Sequence, residues 1–247
     1  MKKNKGDELM SKIIAVDDGH GTNTSGKRTP AGYKENEFNH YTKEFLIDEL
    51  KRNNFKIVDC SPSRSDNSLE DRVKRERNGK ADIFISIHFN AMGSKWQDKA
   101  SGIETYYHGV GGVKGNGYKL AKLVHAELLK GTKLKDRGVK SDGVLYNNGL
   151  YVLRETKSPA ILVECGFMDN KKEAELMKST SYRKECSQEI AKGICKYFGV
   201  AYKEKKKEEK KEIKYIVQAG AFTSKDEADK LIKELKAKGF DALVKKV

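Results

Sequence analysis

Three short apolar runs in this chain each end in a residue able to do chemistry. Ile13–Val16 leads into Asp17-Asp18-Gly19-His20-Gly21, Ala81–Ile87 into His88-Phe89-Asn90, and Ala160–Val163 into Glu164-Cys165-Gly166. Runs this short and rich in β-branched residues predict buried strands of an α/β sheet. Phe55–Val58 and Gly102–Tyr107 add two more strands, the second nearer an edge. Helical spacing appears between them. Phe38, Tyr41, Phe45, Leu46 and Leu50 mark a helix from Glu35 to about Arg52, and Asn67 or Ser68 caps a charged one running to about Asn78. Leu120, Leu123, Val124 and Leu128 share a face of Gly117–Leu129, and Ile190, Ile194 and Tyr197 lie along Ser181–Phe198, which follows a shorter helix at Lys171–Lys178. Arg137–Asn148 reads as a Gly-rich loop and Leu150–Leu153 as a short extended piece.

The pattern then changes. Lys203–Lys214, KEKKKEEKKEIK, has a single apolar residue and reads as a solvated linker. Beyond it a small β-α-β unit is expected, with strands at Tyr215–Ala219 and Phe240–Val244, a helix at Ser224–Lys238, and turns at Gly220 and Gly239. The predicted organisation is an N-terminal extension at 1–11, an α/β domain at 12–202, a linker at 203–212 and the small unit at 213–247.

Composition narrows the partners. The 247 residues are 35% charged with a formal net charge of +14, which favours an anionic partner such as nucleic acid, a membrane surface or bacterial wall. No RNP-type aromatic motif, zinc-finger spacing or basic helix with a heptad tail is present, so nucleic acid is not the expected partner. Cys60, Cys165, Cys186 and Cys195 form no CxxC pair and read as reduced thiols. Lys2, Lys3 and Lys5 are followed by no apolar h-region, and no segment is long enough to span a bilayer; neither a signal peptide nor membrane insertion is expected.

The chemistry-bearing residues share one place. Ligands of open α/β sheets bind at the carboxyl ends of the strands, so His20, His88 and Glu164 are expected at one sheet edge, with Glu35 opening the helix after the first loop. Open-site zinc enzymes need three N or O ligands plus a water, and a nearby carboxylate outside the ligand set to take that water's proton. Two histidines and two glutamates meet both demands. Each also has an ordinary reading: a histidine after a strand as a loop residue, Glu35 as a partner of the helix dipole. Glu164 is harder to explain away, because a carboxylate between an apolar strand and Cys165-Gly166-Phe167 is costly unless used or paired. Two other chemistries stay open here. Gly21–Lys27 matches seven positions of a P-loop, but Arg28 stands where Ser or Thr must hold magnesium, and Pro30 and Gly32 favour a loop. Cys165 with His88 would suit a thiol hydrolase.

Seven segments in order, DDGHG, GYKENEFN, SIHFN, SGIETYY, RGVK, LYVLRETKSPAILVECGF and MDN, resemble the zinc-dependent N-acetylmuramoyl-L-alanine amidase family (the amidase_3 type) over about Lys12–Phe198. The resemblance implies a twisted central sheet with helices on both faces. It implies a Zn2+ ion held by His20, Glu35 and His88, with Glu164 as the catalytic carboxylate. Glu37 competes for the second position; Glu35 is preferred because it stands four residues before Asn39, the family's spacing. Asp18 departs from the pattern, where Pro is common. Asn90 and Arg154 are candidate substrate contacts, with a structural role as the alternative.

The implied reaction is hydrolysis of the amide between N-acetylmuramic acid and L-alanine in bacterial peptidoglycan. A wall-binding protein with an inactive hydrolase domain is the alternative. YIVQAGAF followed by SKDEADKLIKELKAKGFDALVKKV resembles one β-α-β half of a peptidoglycan-binding SPOR repeat. The full module has two halves, so a homodimer through residues 213–247 is expected to supply the second. Without a signal peptide, the expected routes to the wall are phage holin release or mother-cell lysis.

Overall fold

Apolar runs that alternate with amphipathic helices form a six-stranded sheet in the computed structural model, which describes residues 12–109, 117–145, 147–205 and 218–245. The expected extension at 1–11, and all but the first residues of the expected linker, lie outside that range. The chain divides into two compact units, Met1–Lys205 and Lys206–Val247.

In the first unit β1 (Ile13–Asp18), β2 (Lys56–Asp59), β3 (Ile83–Asn90), β4 (Ile103–Tyr107), β5 (Asp136–Ser141) and β6 (Ala160–Phe167) take the order β2-β1-β3-β6-β4-β5. The first four in that order are parallel, β4 is antiparallel to β6, and β5 is parallel to β4. The carboxyl ends of β1, β3 and β6 therefore share one sheet edge with the amino ends of β4 and β5. Register shows it: His88 pairs with Glu164, and Glu164 pairs with Glu104 on its other side.

Strand residues alternate between faces. Ile14, Val16, Ile85, Ile87, Phe89, Val163 and Cys165 pack on one face against α1 (Glu35–Arg52), α3 (Tyr118–Thr132) and α6 (Thr180–Phe198), with Met177 from α5 (Lys171–Lys178). Ala15, Phe84, Tyr106 and Leu162 lie on the other, covered by Val73 of α2 (Leu69–Asn78) and Val152 and Leu153 of α4 (Tyr151–Glu155). Both faces carry helices, as expected. The second face is covered more thinly, and its polar positions reach the edge where β1, β3 and β6 end.

Two buried cations tie that edge together. Arg72 donates from Nη1 to Asp17 Oδ1 and to the Asp18 carbonyl, both at 2.5 Å, while Ser86 Oγ donates to Asp17 Oδ2 at 2.7 Å. Lys43, fully buried, reaches Asp59 Oδ1 at 3.0 Å, the Ser61 carbonyl at 2.6 Å and Asp18 Oδ2 at 3.3 Å. Asp18 also meets His40 Nδ1 at 2.9 Å, and its N–H donates to Ser61 Oγ at 2.8 Å, a bond proline could not make.

Three expectations are corrected. Asp136–Ser141, which overlaps the start of the loop predicted at Arg137–Asn148, is edge strand β5, followed by a 3₁₀ turn at Asp142–Val144. Its charged residues and Gly138 hid it, because edge strands carry charges and bulges rather than apolar alternation. Tyr151–Glu155 is a helical turn rather than an extended piece, with Val152 and Leu153 pointing to the sheet. In the second unit α7 (Lys225–Ala237) forms as expected, but Phe240–Val244 is not a strand. A strand exists only through a ladder partner, and Gln218 and Ala219, the described part of the predicted one, form no strand either; its residues 215–217 lie outside the described residues. Ser68 is the cap of α2, accepting from the Asp71 N–H. Among the described residues no helix is long and apolar enough to cross a membrane.

Arg72→Met should cost about 3 kcal/mol or more, because it leaves Asp17 buried without its cation. Urea unfolding measures it, and adding Asp17→Asn should recover part of the loss.

Candidate metal centre and active site

The site is built where β1 runs out. Gly19 is required by close approach: a Cβ there would lie 2.0 Å from His88 Cε1. His20 follows with φ at 62°, a left-handed conformation uncommon outside glycine. Its carbonyl is pinned by Asn36 Nδ2 at 3.0 Å and Arg72 Nη2 at 3.4 Å. The next loop closes with a bridge between Arg28 and Lys34, and α1 starts only at Glu35. No helix follows Lys27, so Gly21–Lys27 lacks the helix N-terminus a P-loop needs.

Glu35, 2% exposed, is the hub. Its Oε1 accepts from the Phe89 N–H at 3.1 Å and Asn39 Nδ2 at 3.1 Å, and lies 3.2 Å from His88 Nδ1; its Oε2 lies 3.5 Å from His20 Nε2. The two imidazoles stand edge to face with centroids 4.9 Å apart. One donor atom each from His20, Glu35 and His88 lies within 4.8 Å of the others. Burial would raise the Glu35 carboxyl, but the His88 hydrogen bond and the charges of His20 and His88 outweigh it and hold it at about 2. Burial lowers His20 to about 4 against the pull of Glu35. An ionised carboxylate and an imidazole free of its proton are the ligand forms a metal needs.

Glu164 stands beside this trio. Its register partner is His88, and strand alternation puts both on the thinly covered face. Its Oε2 is buried and takes no hydrogen bond among the described residues. Burial, then the charges of Glu35 and Glu104, push its pKa well above the ordinary carboxylate range. Two nitrogens, one carboxylate and an unsatisfied buried oxygen beside them fit a dication such as zinc with its water. Supporting groups are in place: Asn39 orients Glu35 and also donates to the Gly19 carbonyl at 2.9 Å, and Ser86 Oγ sits 3.1 Å from His88 Nε2.

The remaining candidates fall elsewhere. Glu37 turns outward to Arg64 Nη2 at 2.7 Å. Asn90 Nδ2 donates to Glu104 Oε1 at the same edge. Arg154 lies on α4, bonded to Asn148 O at 2.8 Å and Glu155 Oε1 at 2.9 Å and stacked on Tyr151, with no bond to the trio. Cys165 points into the opposite face, and a hydrogen bond with Cys186, together with burial, pushes its thiol well above the ordinary range. It cannot pair with His88, so the thiol-hydrolase geometry is absent.

Sequence reasoning assigned no role to Ser86, Glu104, Arg137 or Lys140. The signals were present: Ser86 shares the period of His88 and Asn90, and the others fall in SGIETYY and RGVK. A cleft of about 580 Å3 runs from His20 and His88 along the same face to Leu69, Arg72, Tyr151 and Leu162.

Three convergent N and O donors beside an uncommitted buried carboxylate, at the edge of an α/β sheet, are the equipment of a metal-dependent hydrolase. The family model described as N-acetylmuramoyl-L-alanine amidase matches residues 14–196, and the chain belongs to that family. The SPOR domain model matches residues 196–247. The chain is 33% identical to the N-acetylmuramoyl-L-alanine amidase CwlM of Bacillus licheniformis, over 94% of its own length and 83% of the relative's. It is 30% identical, with the same two coverages of 94% and 83%, to the sporulation-specific N-acetylmuramoyl-L-alanine amidase of Bacillus subtilis. The solved catalytic domain of the amidase CwlV from Bacillus (Paenibacillus) polymyxa var. colistinus superposes with a TM-score of 0.68 at 30% identity, covering 77% of this chain and 99% of that one.

Asn39→Ala should weaken zinc affinity about 10- to 100-fold with the fold intact. Titration against a competing chelator, beside circular dichroism, measures both.

Proposed function

We propose that this chain hydrolyses the amide between the lactyl group of N-acetylmuramic acid and L-alanine of the stem peptide, using zinc held by His20, Glu35 and His88 and proton transfer by Glu164. The observation that carries the reading is the convergence of those three donors within 4.8 Å, beside a Glu164 oxygen that has no partner. Zinc bound there supplies Lewis acidity, which lowers the pKa of water and polarises the scissile carbonyl. Glu164, on the same face as His88, takes the proton of the attacking water and passes it to the leaving amine. Its raised pKa suits a group that must hold that proton between the two steps. Glu35 is spared this role because its two oxygens are committed to Phe89, Asn39 and the two histidines.

The reading extends to the whole chain: residues 12–202 catalyse, 203–212 tether, and 213–247 bind the wall. The second unit exposes Phe222, Phe240, Leu243 and Val244, and no residue of α7 is buried. Apolar groups left open on so small a unit call for cover. Pairing of two copies through residues 213–247 is the cover we favour, with peptidoglycan as the shared ligand and the wall as the place of action.

Purified protein should hold about one zinc per chain and lose wall hydrolysis with a chelator. His20→Ala and His88→Ala should each lower the zinc content, and Glu35→Ala should lose zinc and activity together. Glu164→Gln should keep zinc while hydrolysis falls about a hundredfold or more. If it loses its metal while Glu35→Ala keeps it, the two glutamates exchange roles. Mass spectrometry of digested wall names the bond cut; wall binding without any release of amino groups would favour the inactive-hydrolase alternative.

Light scattering tests the dimer. The whole chain should run at twice the monomer mass, and a version ending at Tyr202 as a monomer. Two monomers would remove the pairing.

A further inference from the structure

Beyond Glu164 the thinly covered face carries a cluster that the proposed mechanism leaves unused. Glu104, the second residue of β4, is the register partner of Glu164 and is 2% exposed. Its carboxylate takes four donors: Asn90 Nδ2, Tyr106 Oη at 2.9 Å, Arg137 Nε at 3.0 Å and Lys140 Nζ. Both cations converge on Oε2, and Arg137, whose field also reaches Glu173, meets it through Nε alone, so its positive charge extends beyond that contact over two further nitrogens. That charge is reachable, since Arg137 is 23% and Lys140 31% exposed.

The backbone has been shaped to bring the two together. Residues three apart on a regular strand point to opposite faces. Here the β4–β5 register shifts between Ile103 and Thr105, whose partners are Asp136 and Val139, so one extra residue is accommodated in β5. Gly138, with φ at 89°, supplies the left-handed conformation, and its N–H is capped by Asp136 Oδ1 at 2.7 Å. The bulge turns Arg137 and Lys140 onto one face and onto one carboxylate. Bulges beside active sites serve to re-aim side chains in this way. The Arg137 guanidinium is braced over the Phe167 ring, 4.6 Å from its centroid, and its two Nη groups take no hydrogen bond among the described residues.

We propose that Arg137 and Lys140 form a carboxylate-recognition bank for the stem peptide, selecting substrates whose residue after L-alanine bears a free α-carboxylate. The inference rests on the amidase reading above. Spacing supports it. β5 lies two strands from Glu164, about 9–10 Å across the sheet, and the side chains reach back toward Glu104. In an extended peptide the α-carboxylate of the second residue lies about 7 Å from the scissile nitrogen. A planar guanidinium with open Nη groups suits a carboxylate, and a neutral amide at that position would forfeit the charge-assisted bond.

The test compares two synthetic substrates, N-acetylmuramoyl-L-alanyl-D-glutamate with a free α-carboxylate and its α-amide, for the zinc-loaded full chain. The free acid should be preferred by about tenfold or more in kcat/KM, mostly through KM. Arg137→Gln leaves Lys140 to neutralise Glu104 and should reduce that preference to near unity; Arg137→Lys should keep part of it. Equal kcat/KM for acid and amide in the unsubstituted chain overturns the proposal, as does a preference that Arg137→Gln leaves unchanged in a variant whose melting curve shows it folded. Cleavage of neither substrate, with whole wall also untouched, would instead sink the amidase reading and this inference with it.

Discussion

A carboxylate buried at the first turn of a helix has to be matched by donors, and the first unit is assembled around meeting that demand at Glu35. Its partners come from different parts of the chain: the Phe89 N–H and His88 ring from the end of β3, His20 from the loop after β1, Asn39 one turn along α1. Satisfying one charge therefore sets the position of the helix against two strand ends. The same bonds keep Glu35 ionised and hold both imidazoles beside it. One set of contacts thus both places the helix and holds the three donors of the candidate metal centre together.

The second organising feature is the difference between the two faces. β3 and β6 give Ile85, Ile87, Phe89, Val163 and Cys165 to the thick helical layer, and Ser86, His88, Asn90 and Glu164 to the thin one. One strand serves both core and site because its side chains alternate. The thin face can carry polar groups because they satisfy one another: Asp17 with Arg72 and Ser86, and Glu104 with Arg137, Lys140, Tyr106 and Asn90. Reversal of β4 is what makes room for the second group. It places the start of that strand, not its end, next to Glu164.

Much of this was legible along the chain. The strands β1, β3 and β6 announced themselves as β-branched runs, and chain direction then required His20, His88 and Glu164 to leave the sheet at a common edge. The preference for Glu35 over Glu37 came from the family resemblance, in which the glutamate stands four residues before an Asn, here Asn39. In the structure Asn39 bonds Glu35 directly, while Glu37 faces Arg64. Cys165 could be weighed as a nucleophile only while its face was unknown; its neighbour Glu164 occupies the face that looks at His88.

What the sequence determined by itself is the local periodicity: which segments bury a stripe or a face, where they stop, and which reactive residue stands at each stop. Those properties follow from side chains a few residues apart, and no folded neighbour is needed to read them. Only the tertiary structure decided the direction of β4, the strand identity of the charged, bulged Asp136–Ser141, the helical turn at Tyr151–Glu155, and the meeting of Glu104 with Arg137 and Lys140. Each depends on a partner brought from elsewhere in the chain. An edge strand is defined by its ladder, and a buried carboxylate by the cations that reach it; neither leaves a periodic trace in its own segment.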